Sequence, residues 1–253
     1  MSDDKINESV LDINRDWPSP NFGDRGGAEV SILVVHYTAM SSVESTIKRF
    51  SDTSSQVSSH YVISRNGEIF QMVDEDKRAW HAGVAFWRGI KNVNSYSIGI
   101  ELDHDGIDAI GNFIPYATPQ LQSLKLLAAD IVQRHQIPVH NIVGHSDVAP
   151  MRKQDPGNTF PWKDFADEGI GFWPKQVPTK TYKSLKSGDK GDEVRDLQMT
   201  LGKYGYGITV DGDFGIQTEA VIIGFQRHFC ADNVDGIAGN QTRNMLDAVL
   251  KSV

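Results

Sequence analysis

The sequence carries a single cysteine, Cys230, among 253 residues. That excludes an internal disulfide and any cysteine-based zinc cluster. Positive charge is scarce too: 25 Lys and Arg stand against 33 Asp and Glu, a formal charge of −8. The deficit is uneven, with 16 basic against 23 acidic residues through Lys175 (−7) and 9 against 10 from Gln176 onward (−1). Phosphate recognition depends on clustered Lys and Arg, so nucleic acid is not expected as a partner. Long apolar runs are also missing. The longest is about six residues, whereas roughly 20 span a bilayer, so no transmembrane segment is expected. The start, Met1-Ser-Asp-Asp-Lys-Ile-Asn-Glu8, has no apolar leader. The expectation is a cytoplasmic protein, or export by a route the chain does not show. A monomer is expected.

What remains is a chain of modest hydrophobicity with eight histidines. Any metal here must be held by histidine and carboxylate.

Residues 1–28 are polar and broken by Pro18, Pro20 and a Gly pair, and read as a surface arm. Val30 to Val35 is a β-branched run that predicts a buried strand ending at His36-Tyr37-Thr38. Ser41-Ser-Val-Glu44 has capping-box spacing and opens a helix to about Phe50. His60–Arg65 and Glu68–Val73 flank Asn66-Gly67, which predicts a hairpin closed by a two-residue type I′ turn. Ser97–Leu102 reads as a further strand. Thr118-Pro119 starts a helix with apolar Leu121, Leu124, Leu127, Ala128, Ile131 and Val132, ending before Pro138. Ile142-Val143 is a short strand leading into Gly144-His145. Strands interleaved with helices predict an α/β domain over residues 29–175.

Residues 176–182 read as a linker, after which the texture changes. Over 183–253 a helix is predicted from Asp192 to Tyr204. Then Val210-Asp-Gly-Asp-Phe-Gly215 and Val234-Asp-Gly-Ile-Ala-Gly239 repeat 24 residues apart, each a Gly-rich turn feeding a helix (Ala220–Phe229 and Arg243–Leu250). These loops fail the calcium-binding pattern: counted from Asp211, the fifth and sixth positions are Gly215 and Ile216, so Asp and Gly act as turn formers.

Three places look chemical: His36 at a strand end, Gly144-His145-Ser146-Asp147 after another strand, and Lys153-Gln-Asp155-Pro-Gly157 in the loop that follows. Two His and one carboxylate leave an open fourth position, as catalytic zinc requires. Chemistry there needs a base and a cation for a developing oxyanion. Glu101, near the end of its strand, and Lys153, beside Asp155, are the candidates. A glycosidase pair drawn from Glu101, Asp103 and Asp105 is the rival, but it leaves His36 and His145 idle. Tyr37 could orient a substrate or cap the core. His104, His135 and His140 read as surface residues, and Cys230 as a small buried hydrophobe.

Together, Val35-His-Tyr-Thr38, Asp76-Lys-Arg-Ala-Trp-His-Ala-Gly83, Ser97-Ile-Gly-Ile-Glu101, Val143-Gly-His145 and Arg152-Lys-Gln-Asp-Pro-Gly157 resemble the zinc-dependent type-2 N-acetylmuramoyl-L-alanine amidases. The likeness runs over about residues 28–165, in the family's order. It implies a central mixed sheet flanked by helices and one zinc ion on His36, His145 and Asp155. It also implies catalytic roles for Glu101 and Lys153, and a substrate groove lined by Tyr37, His60, Trp80 and His81. Residues 183–250 resemble the three-helix peptidoglycan-binding domain, through Leu185–Gln198 and Val210–Gly215. The implied partner is peptidoglycan or its muropeptide fragments. A non-catalytic peptidoglycan receptor on the same fold is the alternative. The wall-binding likeness favours the cell envelope, while the missing leader favours the cytoplasm. Loss of residues 183–253 is expected to weaken wall binding and spare cleavage of small fragments.

Overall fold

The computed structural model describes residues 11–252. The elements run β1 (Ile13–Asn14), β2 (Phe22–Asp24), β3 (Ile32–Tyr37), α1 (Val43–Ser51), β4 (Tyr61–Ile63), β5 (Ile69–Gln71), β6 (Lys77–Ala79), α2 (Val93–Tyr96) and β7 (Ser97–Leu102). They continue through α3 (Thr118–His135), β8 (Ile142–Gly144), α4 (His145–Val148) and α5 (Trp162–Asp167), and end in α6 (Asp192–Tyr204), α7 (Ile216–Phe229) and α8 (Asn240–Leu250). Six strands form one mixed sheet in the order β1-β5-β4-β7-β3-β8, and β2 pairs with β6 apart from it. All neighbours in the six-stranded sheet are parallel except β4 and β5.

Alternation along the central strands sorts their side chains between two layers. Leu33 and Val35 of β3, with Ile98, Ile100 and Leu102 of β7, pack on one face against Leu124, Leu127, Ala128 and Ile131 of α3. Those α3 positions recur at helical spacing, so one stripe of the helix is apolar and faces the sheet. On the opposite face Ile32, Val34 and Val143 belong to an apolar cluster that includes Trp87, Val93 and Val148 and extends into α6–α8. Farther across that same face Val62 meets Ile47 and Phe50 of α1. Between these two covers, β3 and β7 present His36 and Glu101. That gap is where the site lies.

Several local expectations shift. β3 ends at Tyr37, within the expected His36-Tyr37-Thr38, but it starts at Ile32 rather than Val30. The cap of α1 is Ser42, with Ser45 completing the capping box. The hairpin does not close through a type I′ turn. Its last pair is Ile63↔Ile69, Gly67 N–H donates to Ser64 O at 3.0 Å, and Gly67 alone of the Asn66-Gly67 pair has positive φ (+91°). The Asn66 carboxamide is instead engaged by Ser64 Oγ.

The surface-arm reading falls in part on residues 1–10, outside the described residues. Its remainder is integrated: β1 extends the sheet beside β5, and Asn21 and Arg25 are buried. Arg25 donates to the carbonyls of Glu75, Ser95 and Ser97 at 2.8–2.9 Å. The 176–182 segment is likewise pinned, with Lys180 N–H and Tyr182 N–H donating to Asn244 and Asn240 of α8. His104 is buried and stacked on Tyr116, so it is no surface residue.

The larger revision concerns independence. Ile32, Val34, Trp87 and Val143 belong to one continuous apolar cluster with Leu197, Leu201, Phe225 and Phe229. Helices α6–α8 supply many of the residues of that cluster. At the closest approach of α7 to α4, a Cβ on Gly224 would stand 2.7 Å from the Ser146 carbonyl oxygen.

Candidate active site

Pairing register brings the site together. β3 and β7 align His36↔Glu101, and β3 and β8 align Val35↔Gly144, which delivers His145 beside His36 as the chain leaves β8 into α4. Asp155 arrives on the following loop, where its carbonyl accepts from Ser146 N–H at 2.9 Å. The three side chains converge. His36 Nδ1 is 2.9 Å from His145 Nδ1 and 3.1 Å from Asp155 Oδ2, and His145 Nδ1 is 3.0 Å from Asp155 Oδ2. All three residues are buried.

Whether this cluster fits a cation can be asked of its protons. His145 Nε2 lies 3.1 Å from the Ala82 carbonyl, which can only accept, so Nε2 carries a proton and Nδ1 is the nitrogen left to meet a cation. Two imidazole nitrogens and a carboxylate oxygen thus converge on one point. Tetrahedral zinc with bonds of about 2.0–2.1 Å needs ligand–ligand edges of about 3.3 Å, close to this triangle. The donor set fits zinc.

Electrostatics agree. Burial, then the neighbouring His145, pulls His36 down to about 4, so the ring is neutral at pH 7. His81 is held well below its ordinary value by burial and by His36. Burial alone would raise Asp155, but His145 and His36 outweigh it and keep the carboxyl well below the usual range. Glu101 behaves oppositely. Burial, reinforced by the charge of Asp155 and only partly offset by Lys153, pushes it up to about 8. Its Oε2 is buried without a hydrogen-bond partner. A carboxyl poised near neutrality beside a metal cluster suits a group that exchanges protons.

A groove of about 340 Å³ opens over the cluster, lined by Tyr37, Arg49, Trp80, His81, Glu101 and Lys153 among others. Lys153 is exposed at its edge, with its backbone N–H on the Ala149 carbonyl at 3.0 Å. Of the four residues expected to line the groove, Tyr37, Trp80 and His81 do so. His60 does not: it is fully buried behind the site, accepting from Gly99 N–H at 3.0 Å and lying 2.9 Å from Arg25. Asp103 and Asp105 turn to Arg65, at 3.4 and 2.9 Å, which leaves the glycosidase pair without a second carboxylate in the groove.

Sequence reasoning missed the supporting layer. Asp147, two residues after His145, accepts from Gly144 N–H (2.8 Å), Tyr206 Oη–H (2.6 Å) and His228 Nδ1 (2.8 Å). His228 stacks on Trp162 with ring centroids 4.0 Å apart. The helical C-terminal part thereby grips the loop that carries a cluster histidine. No spacing in the sequence could announce contacts 59 and 81 residues apart.

Comparison with known proteins agrees with this geometry. Residues 26–158 match the family described as N-acetylmuramoyl-L-alanine amidase, and residues 190–246 match a peptidoglycan binding domain. The chain is 37% identical over 232 residues to the N-acetylmuramoyl-L-alanine amidase AmiD of Escherichia coli (strain K12), spanning 88% of this chain and 83% of that one. Among solved structures it resembles E. coli AmiD in complex with anhydro-N-acetylmuramic acid-L-Ala-D-gamma-Glu-L-Lys. That likeness has a TM-score of 0.76 and 32% identity, over 92% of this chain and 98% of that one. It also resembles AmpDh3 of Pseudomonas aeruginosa in complex with anhydromuramic pentapeptide. There the TM-score is 0.73 and the identity 30%, over 96% and 98% of the two chains. The chain belongs to the N-acetylmuramoyl-L-alanine amidase family and carries a peptidoglycan-binding domain behind its amidase domain.

Proposed function

We propose that this protein is a zinc-dependent N-acetylmuramoyl-L-alanine amidase. It hydrolyses the amide between the lactyl group of N-acetylmuramic acid, or its 1,6-anhydro form, and L-Ala of the stem peptide. The observation that carries this reading is the triangle of His36 Nδ1, His145 Nδ1 and Asp155 Oδ2 on the floor of an open groove that also holds Glu101. One zinc ion per chain would be held by His36, His145 and Asp155. When bound, it would polarise a substrate carbonyl and acidify water.

The chain's own groups supply the rest. Glu101 takes the proton from the attacking water and delivers it to the departing L-Ala nitrogen, so its carboxyl ends as it began. Lys153, an ammonium at the groove edge, stabilises the negative charge that develops on the carbonyl oxygen. Tyr37 and Trp80 line the groove and would contact the substrate there. The helices over 183–253 would hold the polymer, and the peptidoglycan-binding match there supports work in the cell envelope. That solved relatives contain anhydromuramoyl peptides supports the substrate class.

The test uses the full chain, zinc-loaded or chelator-treated, on an anhydromuramoyl tripeptide with products read by mass spectrometry. Zinc-dependent release of a tripeptide with a free L-Ala amine is expected. Zinc-replete protein that binds the muropeptide without cutting it would instead identify a receptor.

A further inference from the structure

The outward ring nitrogens of His36 and His145 end on one short loop. Asn94 Oδ1 accepts from the backbone N–H groups of His81 (3.2 Å) and Ala82 (2.8 Å). The loop so held offers the His81 ring to His36 and the Ala82 carbonyl to His145, at 3.0 and 3.1 Å. Behind His81 the contacts continue: its Nε2 is 3.0 Å from Ser97 Oγ, which is 2.7 Å from the Val93 carbonyl oxygen.

The protons along this line are dictated in sequence. A carbonyl oxygen only accepts, so the proton between the two oxygens belongs to Ser97. Ser97 Oγ is left to accept, and His81 must carry its proton on Nε2. His81 Nδ1 is then bare and accepts from His36 Nε2–H. His36 Nδ1 is bare in turn, aimed at His145 Nδ1 and Asp155 Oδ2. One backbone carbonyl in α2 thus sets three proton positions.

Gly99 enforces the arrangement. A Cβ there would stand 2.5 Å from the His81 ring, so the ring lies against the β7 backbone where a side chain would otherwise project. His81 and Ser97 are both buried.

We propose that His81 and Ser97 are positioning residues that lock His36 in its Nε2–H tautomer and so set the affinity of the cluster for zinc. This rests on the zinc reading above. It gives His81 a role through His36 rather than through the substrate, and it explains why a hydroxyl opens β7. Outer partners of metal-ligating histidines typically contribute about 10–100-fold in affinity.

The experiment measures zinc dissociation constants by competition with a chromophoric chelator for the full chain and for Ser97→Ala, His81→Asn and His81→Leu. Long-range proton–nitrogen NMR on the ¹⁵N-labelled, metal-stripped proteins reads the His36 tautomer. Ser97→Ala, a loss of one buried oxygen, should weaken zinc about 10-fold or more and admit the other His36 tautomer. His81→Asn keeps an acceptor where Nδ1 stood and should bind zinc more tightly than His81→Leu. A packing role would reverse that order, since Leu is nearer His in volume. Unchanged zinc affinity in Ser97→Ala, or a leucine variant that binds as well as the asparagine one, overturns the proposal. A wild type that binds no zinc overturns the zinc reading and this proposal with it. Tight wild-type binding with indifferent variants overturns the proposal alone.

Discussion

Glu101 is half-buried at the groove, its Oε2 is buried without a partner, and its carboxyl feels the negative charge of Asp155. An ordinary stabilising residue would not be kept there, and its effect on stability has a definite sign. Its value in the folded chain, about 8, lies above the ordinary 4.5. The folded state therefore prefers the protonated form. That contribution is fully present below about pH 4.5 and is lost as pH rises through about 8. Histidines held low by burial, His36 and His81 among them, act alike on wild type and variant, so the readout is the difference between metal-stripped wild type and Glu101→Gln. Glu101→Gln cannot ionise, so its urea midpoint should gain on the wild type's as pH rises from about 4.5 to about 8 and exceed it most at pH 8–9. A variant that tracks the wild type across the window would contradict the burial argument. With zinc restored, the same variant should retain metal yet lose about 10²–10⁴-fold in kcat. Normal turnover would remove Glu101 from the mechanism. His36→Ala and Asp155→Ala should instead lose the metal, read as zinc content after dialysis.

Among the elements, the contact of α7 with α4 is the tightest link between the C-terminal helices and the cluster. Gly→Ala inside a helix ordinarily stabilises by up to about 1 kcal/mol. At Gly224 the added methyl would meet the Ser146 carbonyl oxygen at 2.7 Å, and this is backbone that cannot swing aside. Overpacking of that kind costs typically about 1–3 kcal/mol, which outweighs the helix gain. Gly224→Ala should therefore destabilise the fold by about 1–2 kcal/mol net, measured by urea denaturation. Because Ser146 follows His145 directly, zinc affinity should fall with it. A stabilised variant would show that α7 does not press on α4. The individual elements were largely legible beforehand, since β7 and α6 begin and end where their patterns predict. The hairpin turn was not, because a dipeptide's turn preference yields to side-chain bonds such as that of Ser64 with Asn66.

At the scale of the molecule, one apolar cluster runs from β3 and β8 into α6–α8 and joins the two domains. Removing residues 183–253 would strip Leu197, Leu201, Phe225 and Phe229 from that cluster. The expectation that the truncated chain spares cleavage of small fragments stands beside an opposite one drawn from this cluster. A chain ending at Lys175 should lose its cooperative unfolding transition and its zinc, read by near-ultraviolet circular dichroism and metal content. Cooperative unfolding with zinc retained would show the amidase part to stand alone. In the full chain, Phe225→Ala should cost about 3–5 kcal/mol and lower one common transition rather than split it in two.

Composition alone left histidine and carboxylate as the available metal donors, and the order of motifs along the chain pointed to His36, His145 and Asp155. Local chemistry was enough for that, because strand runs, caps and Gly-rich turns depend on neighbours in sequence. Register was not readable. That His36 stands beside Glu101, that His81 backs His36 rather than only facing the groove, and that His60 lies behind the site were settled by how strands slid against one another. The union of the two domains was decided the same way. An apolar face on β3 states that it must be covered, and only packing in three dimensions chose a cluster that reaches into α6–α8 to cover it.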